Sequence, residues 1–433
     1  MLSACMGLAI SSNPSKGIQR DGFNTWACLV VKALYRSSWS ASTLAPRGVG
    51  AGWGNPAPVG VSNGLPPHGG NLSQEARRLG MQPSQLLDAS ASLVPFRPPR
   101  ALRRALAAAI HGPSLRDYPD RAQADLRSAI ASWHGLDAEQ VLAGNGAAEL
   151  FTWAARDATA AGRNALPQPG FADYSRALAC WGGAIEELPL PLAWGDGWPQ
   201  PFPLASLKAT TDVVWITNPH NPTGQLWSRA SLEPLLAQYA LVICDEAFLP
   251  LVPGGEDQSL LPLVEDHPNL VVIRSLTKLF AIAGLRLGYA VAAADRLQRW
   301  HGWRDPWPVN GLAIAAGVAV MNDPVGLQRW QQRVQQWVQK EGTWFRAQLE
   351  AIPGFKAYPS AANYLLIQGE QSLLELRERL ALDGVLLRDC RSFAGLGERW
   401  LRIGLQDRRG NQRILRALQR ASATRPSSRV TSF

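Results

Sequence analysis

Apolar residues along the chain fall into two kinds of segment that alternate. Residues 73–79, 99–110, 122–134 and 147–160 read as helices, and the second opens with proline in its first turn. Short apolar runs bounded by turns follow at residues 213–217, 240–244, 270–274 and 288–292. They lack polar alternation, which fits strands buried on both faces of a mainly parallel sheet. Helical stretches such as residues 231–238 separate them, so the middle of the chain is an α/β layer structure. A long helix is predicted over residues 325–349, and a smaller α+β region over 355–420. The expected division is an extension at 1–60, an N-terminal arm and part of a small domain at 61–111, a large α/β domain at 112–310, a C-terminal small domain at 311–420 and a tail at 421–433.

At 433 residues, 46% hydrophobic and 18% charged, the chain can bury a large core. The net charge of +9 raises a nucleic-acid reading, but the excess sits at the two ends: Lys16, Arg20, Lys32, Arg36 and Arg47 early on, and Arg408, Arg409, Arg413, Arg416, Arg420, Arg425 and Arg429 late. Solvated tails explain that distribution better than a nucleic-acid surface. Cys5, Cys28, Cys180, Cys244 and Cys390 show neither a CxxC pair nor metal-ligand spacing, and read as reduced thiols in a cytoplasmic setting with no metal. No apolar run reaches the length of a membrane span. Residues 1–60 are Ser-, Gly- and Pro-rich and acid-poor, fitting a targeting peptide, a disordered extension or a start codon assigned too far upstream.

Chemistry concentrates in SLTKLFAIAGLRLG, residues 275–288, which begins where a buried run ends, the place where open α/β sheets hold ligands. Lys278 supplies an amine, Ser275 and Thr277 supply hydroxyls and Arg286 a permanent bidentate charge, a set suited to a phosphorylated aldehyde. Asp245, in CDEAF, ends another buried run and needs a cationic partner to offset desolvation; a protonated pyridine nitrogen is such a partner. In ITNPHNPTG the Asn-Pro steps force a turn that presents the Asn221 amide as a donor to a phenolate oxygen. AGNGAAEL puts Gly146, Ala147 and Ala148 at a helix mouth, where backbone amides bind anions.

The order GNG, PGFADY, NPHNPTG, DEAF, SxTK and GLRLG, with Lys278 33 positions after Asp245, resembles fold type I pyridoxal-phosphate (PLP) enzymes of the class I/II aminotransferase superfamily. The resemblance implies a large domain with a mainly parallel sheet, a smaller α+β domain and PLP as cofactor. It makes Lys278 the Schiff-base lysine and proton shuttle, Asp245 the partner of the pyridine nitrogen and Asn221 the ligand of the ring oxygen. Ser275, Thr277 and Arg286, with Ala147 and Ala148, become the phosphate clamp, and Phe171 the aromatic stacked on the ring. Tyr118, in DYPD, matches a tyrosine that reaches the neighbouring subunit's cofactor, which implies a homodimer with shared sites.

Two branches compete, the histidinol-phosphate aminotransferases and the threonine-phosphate decarboxylases of cobalamin biosynthesis. PHGGNLSQEARRLG resembles the decarboxylases and makes His68 and Asn71 candidates near a substrate phosphate. Phe248, where aminotransferases usually carry tyrosine, and LLRDCRSFAGLGERWLRIGL point the same way. By position Arg402 resembles the carboxylate-binding arginine and Arg388 a partner for the substrate phosphate. One departure stands out: where the decarboxylases read SANIN, this chain has Ser92 and Val94 in place of the asparagines. A sensor protein with an aminotransferase-like domain would carry a helix-turn-helix ahead of it, and residues 1–60 show no helical period.

Overall fold

The computed structural model describes residues 69–204 and 210–423; the extension at 1–60, His68 and residues 424–433 of the tail lie outside them. Strand β1 (Leu87–Asp88) is followed by β2 (Val141–Asn145), β3 (Asn164–Gln168), β4 (Ile185–Pro189), β5 (Val213–Thr217), β6 (Leu241–Asp245), β7 (Leu270–Ser275) and β8 (Leu287–Ala292). Strands β2 to β8 form one seven-stranded sheet in the order β2-β8-β7-β6-β5-β3-β4, parallel throughout except for β8, which runs against both its neighbours. Every residue of β5, β6, β7 and β8 is buried, as their unbroken apolar runs require of strands covered on both faces.

Strands β2, β3 and β4 carry no comparable run. β3 reads NALPQ, its proline and asparagine masking a buried strand, and the last residues of β2 are the start of the GNG turn. Predicted helices appear within two residues of their expected ends at Leu72–Leu79, Arg100–His111, Ala124–His134, Ala147–Ala161 and Pro324–Glu350. The stretch at 231–238 is instead a short α-helix, Arg229–Leu232, running into a 3-10 helix, Glu233–Ala237, because Pro234 interrupts it. Helix Ala147–Ala161 buries Ala147, Leu150, Phe151, Ala154, Ala155 and Ala158 against the sheet, one stripe at helical spacing.

The remaining strands are β9 (Phe355–Ala357), β10 (Tyr364–Gly369), β11 (Val385–Leu386), β12 (Arg388–Asp389) and β13 (Trp400–Gly404). A four-stranded antiparallel sheet runs β12-β13-β10-β9, and β1 pairs in parallel with β11, tying the start of the described chain to its last third. Helix Pro324–Glu350 opens with Asp323 accepting the Gly326 N–H and buries Trp330, Trp337 and Phe345 along one side. The Trp330 indole donates to the carbonyl of Leu279 at 2.8 Å, anchoring the turn that follows Lys278.

The basic C-terminal arginines correct the expectation of a solvated tail. Arg408, Arg413 and Arg420 belong to helix Arg408–Ala423. Arg408 pairs with the buried Glu341 and lies 3.7 Å from the Trp344 ring centroid, Arg413 donates to the carbonyls of Gln85 and Gly384, and Arg420 pairs with Asp383. Composition alone cannot distinguish such a helix from a tail when the acids that pair with it lie far away in sequence.

Candidate active site

The carboxyl ends of β5, β6 and β7 open into a cavity of about 210 Å³. Its lining includes Lys278, Asp245, Asn221, Ser275, Thr277, Arg286, Ala147, Ala148, Phe171, Arg388 and Arg402, together with Ser90, Ser92, Phe151, Phe248 and Phe393. Topology explains the convergence. Asp245 is the last residue of β6, Ser275 the last of β7, and Lys278 sits in the short helix Leu276–Phe280 that leaves β7.

The Asp245 carboxylate accepts from the Tyr174 hydroxyl at 2.6 Å and from the Ala247 N–H at 2.9 Å. Tyr174 also lies 2.9 Å from the Thr217 hydroxyl. Burial pushes the acid up to about 6, against the opposing pull of Tyr174, the Ala247 N–H and the Lys278 charge. Lys278 moves the other way, down to about 8, through burial first and then the positive charges of Arg402 and Arg286, with Asp245 opposing. Its ammonium lies 5.4 Å from the centroid of the Phe248 ring. Sequence reading overlooked Tyr174; the available signal was a second aromatic residue three positions after Phe171 in PGFADY, on the same helical face.

At the opposite wall Arg402 projects from β13, buried, with one guanidinium nitrogen on the Asn221 side-chain oxygen and another 3.4 Å from the carbonyl of Ser90. Engaging that oxygen leaves the Asn221 NH2 as the donor end of the amide. Arg388, on β12, stands directly opposite Arg402 in the antiparallel register and reaches the Ser392 hydroxyl. Burial and the facing Arg402 lower Arg388 to about 10.

Arg286 holds a left-handed backbone, φ 58°, and its guanidinium lies against Gly146. Gly146, at the mouth of helix Ala147–Ala161, holds φ 74°, a backbone that favours glycine, and a Cβ there would come within 2.4 Å of Arg286 Nη2 and push the guanidinium aside. Two buried hydroxyls of the lining, Ser92 Oγ and Thr277 Oγ1, have no hydrogen-bond partner, nor does Arg402 Nε. Among the described residues Lys278, Arg286 and Arg402 form no ion pair with a carboxylate. A cation-rich cavity with orphaned donors and a helix N-terminus fits a ligand carrying several anionic oxygens, and a PLP phosphate fits the Thr277, Arg286 and Gly146–Ala148 end.

Two expected residues sit elsewhere. Tyr118 is 78% exposed and stacks on Trp307 with ring centroids 4.3 Å apart, outside the cavity of its own chain. Asn71 lines a small adjoining cleft with Gly69, Gly70, Ser90 and Arg388, and His68 lies outside the described residues. Of the two departures from SANIN, Ser92 faces the cavity whereas Val94 is buried in the main apolar core.

The fold is shared with solved PLP-binding transaminases: the histidinol-phosphate aminotransferase of Sinorhizobium meliloti, solved in complex with pyridoxal-5'-phosphate, superposes with a TM-score of 0.70 at 21% identity, covering 83% of this chain and 96% of that one. The family model for aminotransferase class I and II matches residues 85–418, so the chain belongs to the class I and II aminotransferase family. It is similar to the threonine-phosphate decarboxylase of Salmonella typhimurium, 36% identical over 81% of this chain and 95% of that relative. It is also similar to a histidinol-phosphate aminotransferase of Dechloromonas aromatica, 31% identical over 81% of this chain and 94% of that relative. The protein is a PLP-dependent enzyme, a threonine-phosphate decarboxylase or an aminotransferase.

Proposed function

We propose that the chain decarboxylates L-threonine O-3-phosphate to (R)-1-aminopropan-2-yl phosphate, a reaction of cobalamin biosynthesis. The observation that carries this reading is the facing pair Arg388 and Arg402, two buried guanidiniums opposite each other on adjacent strands and both in the cavity wall. Like charges in register destabilise a sheet. A small substrate that carries both a carboxylate and a phosphate relieves that repulsion with two bidentate contacts. The similarity to the Salmonella typhimurium decarboxylase supports the same choice.

In this reading Lys278 would carry PLP, Asp245 would partner its pyridine nitrogen, Asn221 its ring oxygen and Phe171 its ring. Ser275, Thr277, Arg286 and the amides of Ala147 and Ala148 hold its phosphate. When bound, the cofactor supplies an electron sink for the pair left on the substrate Cα as CO2 departs. The protein's part is orientation and proton transfer. Arg402 holds the carboxylate and Arg388 the substrate phosphate, with Asn71 in the adjoining cleft. The Lys278 amine, lowered to about 8, gives a proton to Cα near neutral pH. Phe248 and Phe393 line the cavity and would keep water from the substrate Cα. Tyr118 reaches the site of a second copy, making the working form a homodimer.

A second reading, transamination of histidinol phosphate, draws support from Ser92, which puts a hydroxyl where the decarboxylases have asparagine. Incubation with L-threonine phosphate, assayed for CO2, against histidinol phosphate with 2-oxoglutarate, assayed for glutamate, separates the two. CO2 release without keto acid supports decarboxylation, and glutamate formation overturns it.

A further inference from the structure

Asp245 and Glu246 are neighbours in sequence and face opposite sides of the sheet. Asp245 continues the side of Leu241 and Ile243, which packs on helix Ala147–Ala161, while Glu246 continues the side of Val242 and Cys244. Arg274, one residue before the last of β7, lies on the Glu246 side for the same reason of phase. Its Nε and Nη2 donate to Glu246 Oε2 at 3.0 and 2.7 Å, and its Nη1 donates to Glu256 at 2.9 Å. The Ser259 hydroxyl and the Leu260 N–H fill the rest of the Glu246 carboxylate. The side chains of the pair are 3% and 0% exposed.

A buried ion pair of this kind is a poor device for stability, because an apolar pair of equal volume serves as well or better. Its position indicates another role. The Glu246 N–H donates to the carbonyl of Ile273 at 2.9 Å, so the clamp closes at the ends of β6 and β7, next to Asp245 and Ser275 and four residues before Lys278. We propose that Arg274 is a positioning residue for the cofactor end of the cavity: its grip on Glu246 fixes the two strand ends from the far face and neutralises Glu246, leaving Asp245 as the one carboxylate presented to the ligand.

The catalytic consequence rests on the reading of Asp245 as the cofactor's partner, but the clamp itself is measurable in cofactor-free protein. Asp245 is within electrostatic reach of Tyr174 from its helix, of Cys244 and Glu246 on either side of it in the chain, of Lys278 from the helix after β7 and of Tyr364 from β10. Of these Glu246 pushes its acidity down and Lys278 opposes. Removing the arginine exposes the Glu246 charge; removing the Glu246 charge relieves Asp245. The two changes therefore have opposite signs, which a merely structural lesion would not produce.

The test uses Arg274→Met and Glu246→Gln. The protonated-carboxyl infrared band of Asp245, identified by its loss in Asp245→Asn, is followed against pH in cofactor-free protein, and PLP affinity is measured by visible absorbance titration. The expected result is an upward move of the Asp245 midpoint by about one pH unit in Arg274→Met, a downward move in Glu246→Gln, and PLP binding about tenfold weaker in Arg274→Met. Shifts of the same sign in both, or in neither, overturn the proposal. If Arg274→Met does not fold, Glu246→Gln, which keeps the Arg274–Glu256 pair, decides alone by its downward move or the lack of one. Opposite shifts in a protein that binds no PLP would uphold the clamp and remove the cofactor reading; PLP binding with no shifts would do the reverse.

Discussion

Asp245→Asn separates what this carboxylate costs the fold from what it contributes to the chemistry. Burial raises the Asp245 carboxyl from its ordinary 3.8 to about 6 in the folded protein. For an acid whose folded value lies above its unfolded one, the penalty is absent while both states are protonated. It grows as pH rises through the unfolded value and is complete above the folded one. A difference of about two units is worth about 3 kcal/mol. Asparagine removes that penalty but keeps a single acceptor oxygen for the two donors Tyr174 and Ala247, returning about 1 kcal/mol. The cofactor-free variant is therefore expected to be about 2 kcal/mol more stable than the parent at about pH 8, with no advantage at about pH 4. Urea unfolding followed by tryptophan fluorescence at both pH values measures the difference, and the same variant is expected to lose turnover. A variant no more stable than the parent at the higher pH, or an advantage that does not change with pH, refutes the argument that desolvation dominates at this position.

Other consequences follow from the same geometry. Gly146→Ala pushes the Arg286 guanidinium aside and strains the backbone at φ 74°, so it is expected both to weaken PLP binding at least tenfold by spectroscopic titration and to lower the unfolding midpoint of the cofactor-free protein. Lys278→Ala is expected to bind PLP without the visible absorbance of a lysine adduct and to have no turnover; an unchanged spectrum would exclude Lys278 as the attachment point. Because the folded protein depresses the Lys278 amine to about 8, its neutral form accumulates above that pH, so PLP capture by cofactor-free protein is expected to accelerate up to about pH 8 and then level off. A rate still rising steeply above about pH 10, as for an ordinary lysine, contradicts the assignment. Arg402→Met is expected to raise KM for a carboxylate-bearing substrate by about tenfold to a hundredfold, with PLP affinity held within a few fold.

The residues that gather around Lys278 in the cavity were almost all legible in the sequence, because they are bound to turns and strand ends whose signatures are local. The buried run before Asp245, the Asn-Pro steps around Asn221 and the glycine at 146 each announce a backbone geometry as well as a side chain. The substrate end was legible only as positions. That Arg388 and Arg402 oppose each other depends on the register of β12 and β13, two strands whose pairing nothing local specifies. Val94 and Ser92 looked equally suspect from their spacing, yet the chain turns one into the core and the other into the cavity. The dipeptide Asp245-Glu246 shows the limit most sharply. Either acid is a plausible partner for a buried cation when read alone, and alternation along β6 guarantees that only one of them faces the cavity. Which one follows from the phase of the strand against helix Ala147–Ala161 and from Arg274 claiming the other. An exchange of the two acids keeps composition, charge and hydropathy intact, so Asp245→Glu combined with Glu246→Asp isolates geometry from chemistry. With the shorter carboxylate withdrawn from Arg274 and the longer one pressed on Tyr174, that double variant is expected to fold less stably and to bind PLP more weakly than either single change. Parent-like binding would mean that the site needs a carboxylate on that face and nothing of the clamp behind it.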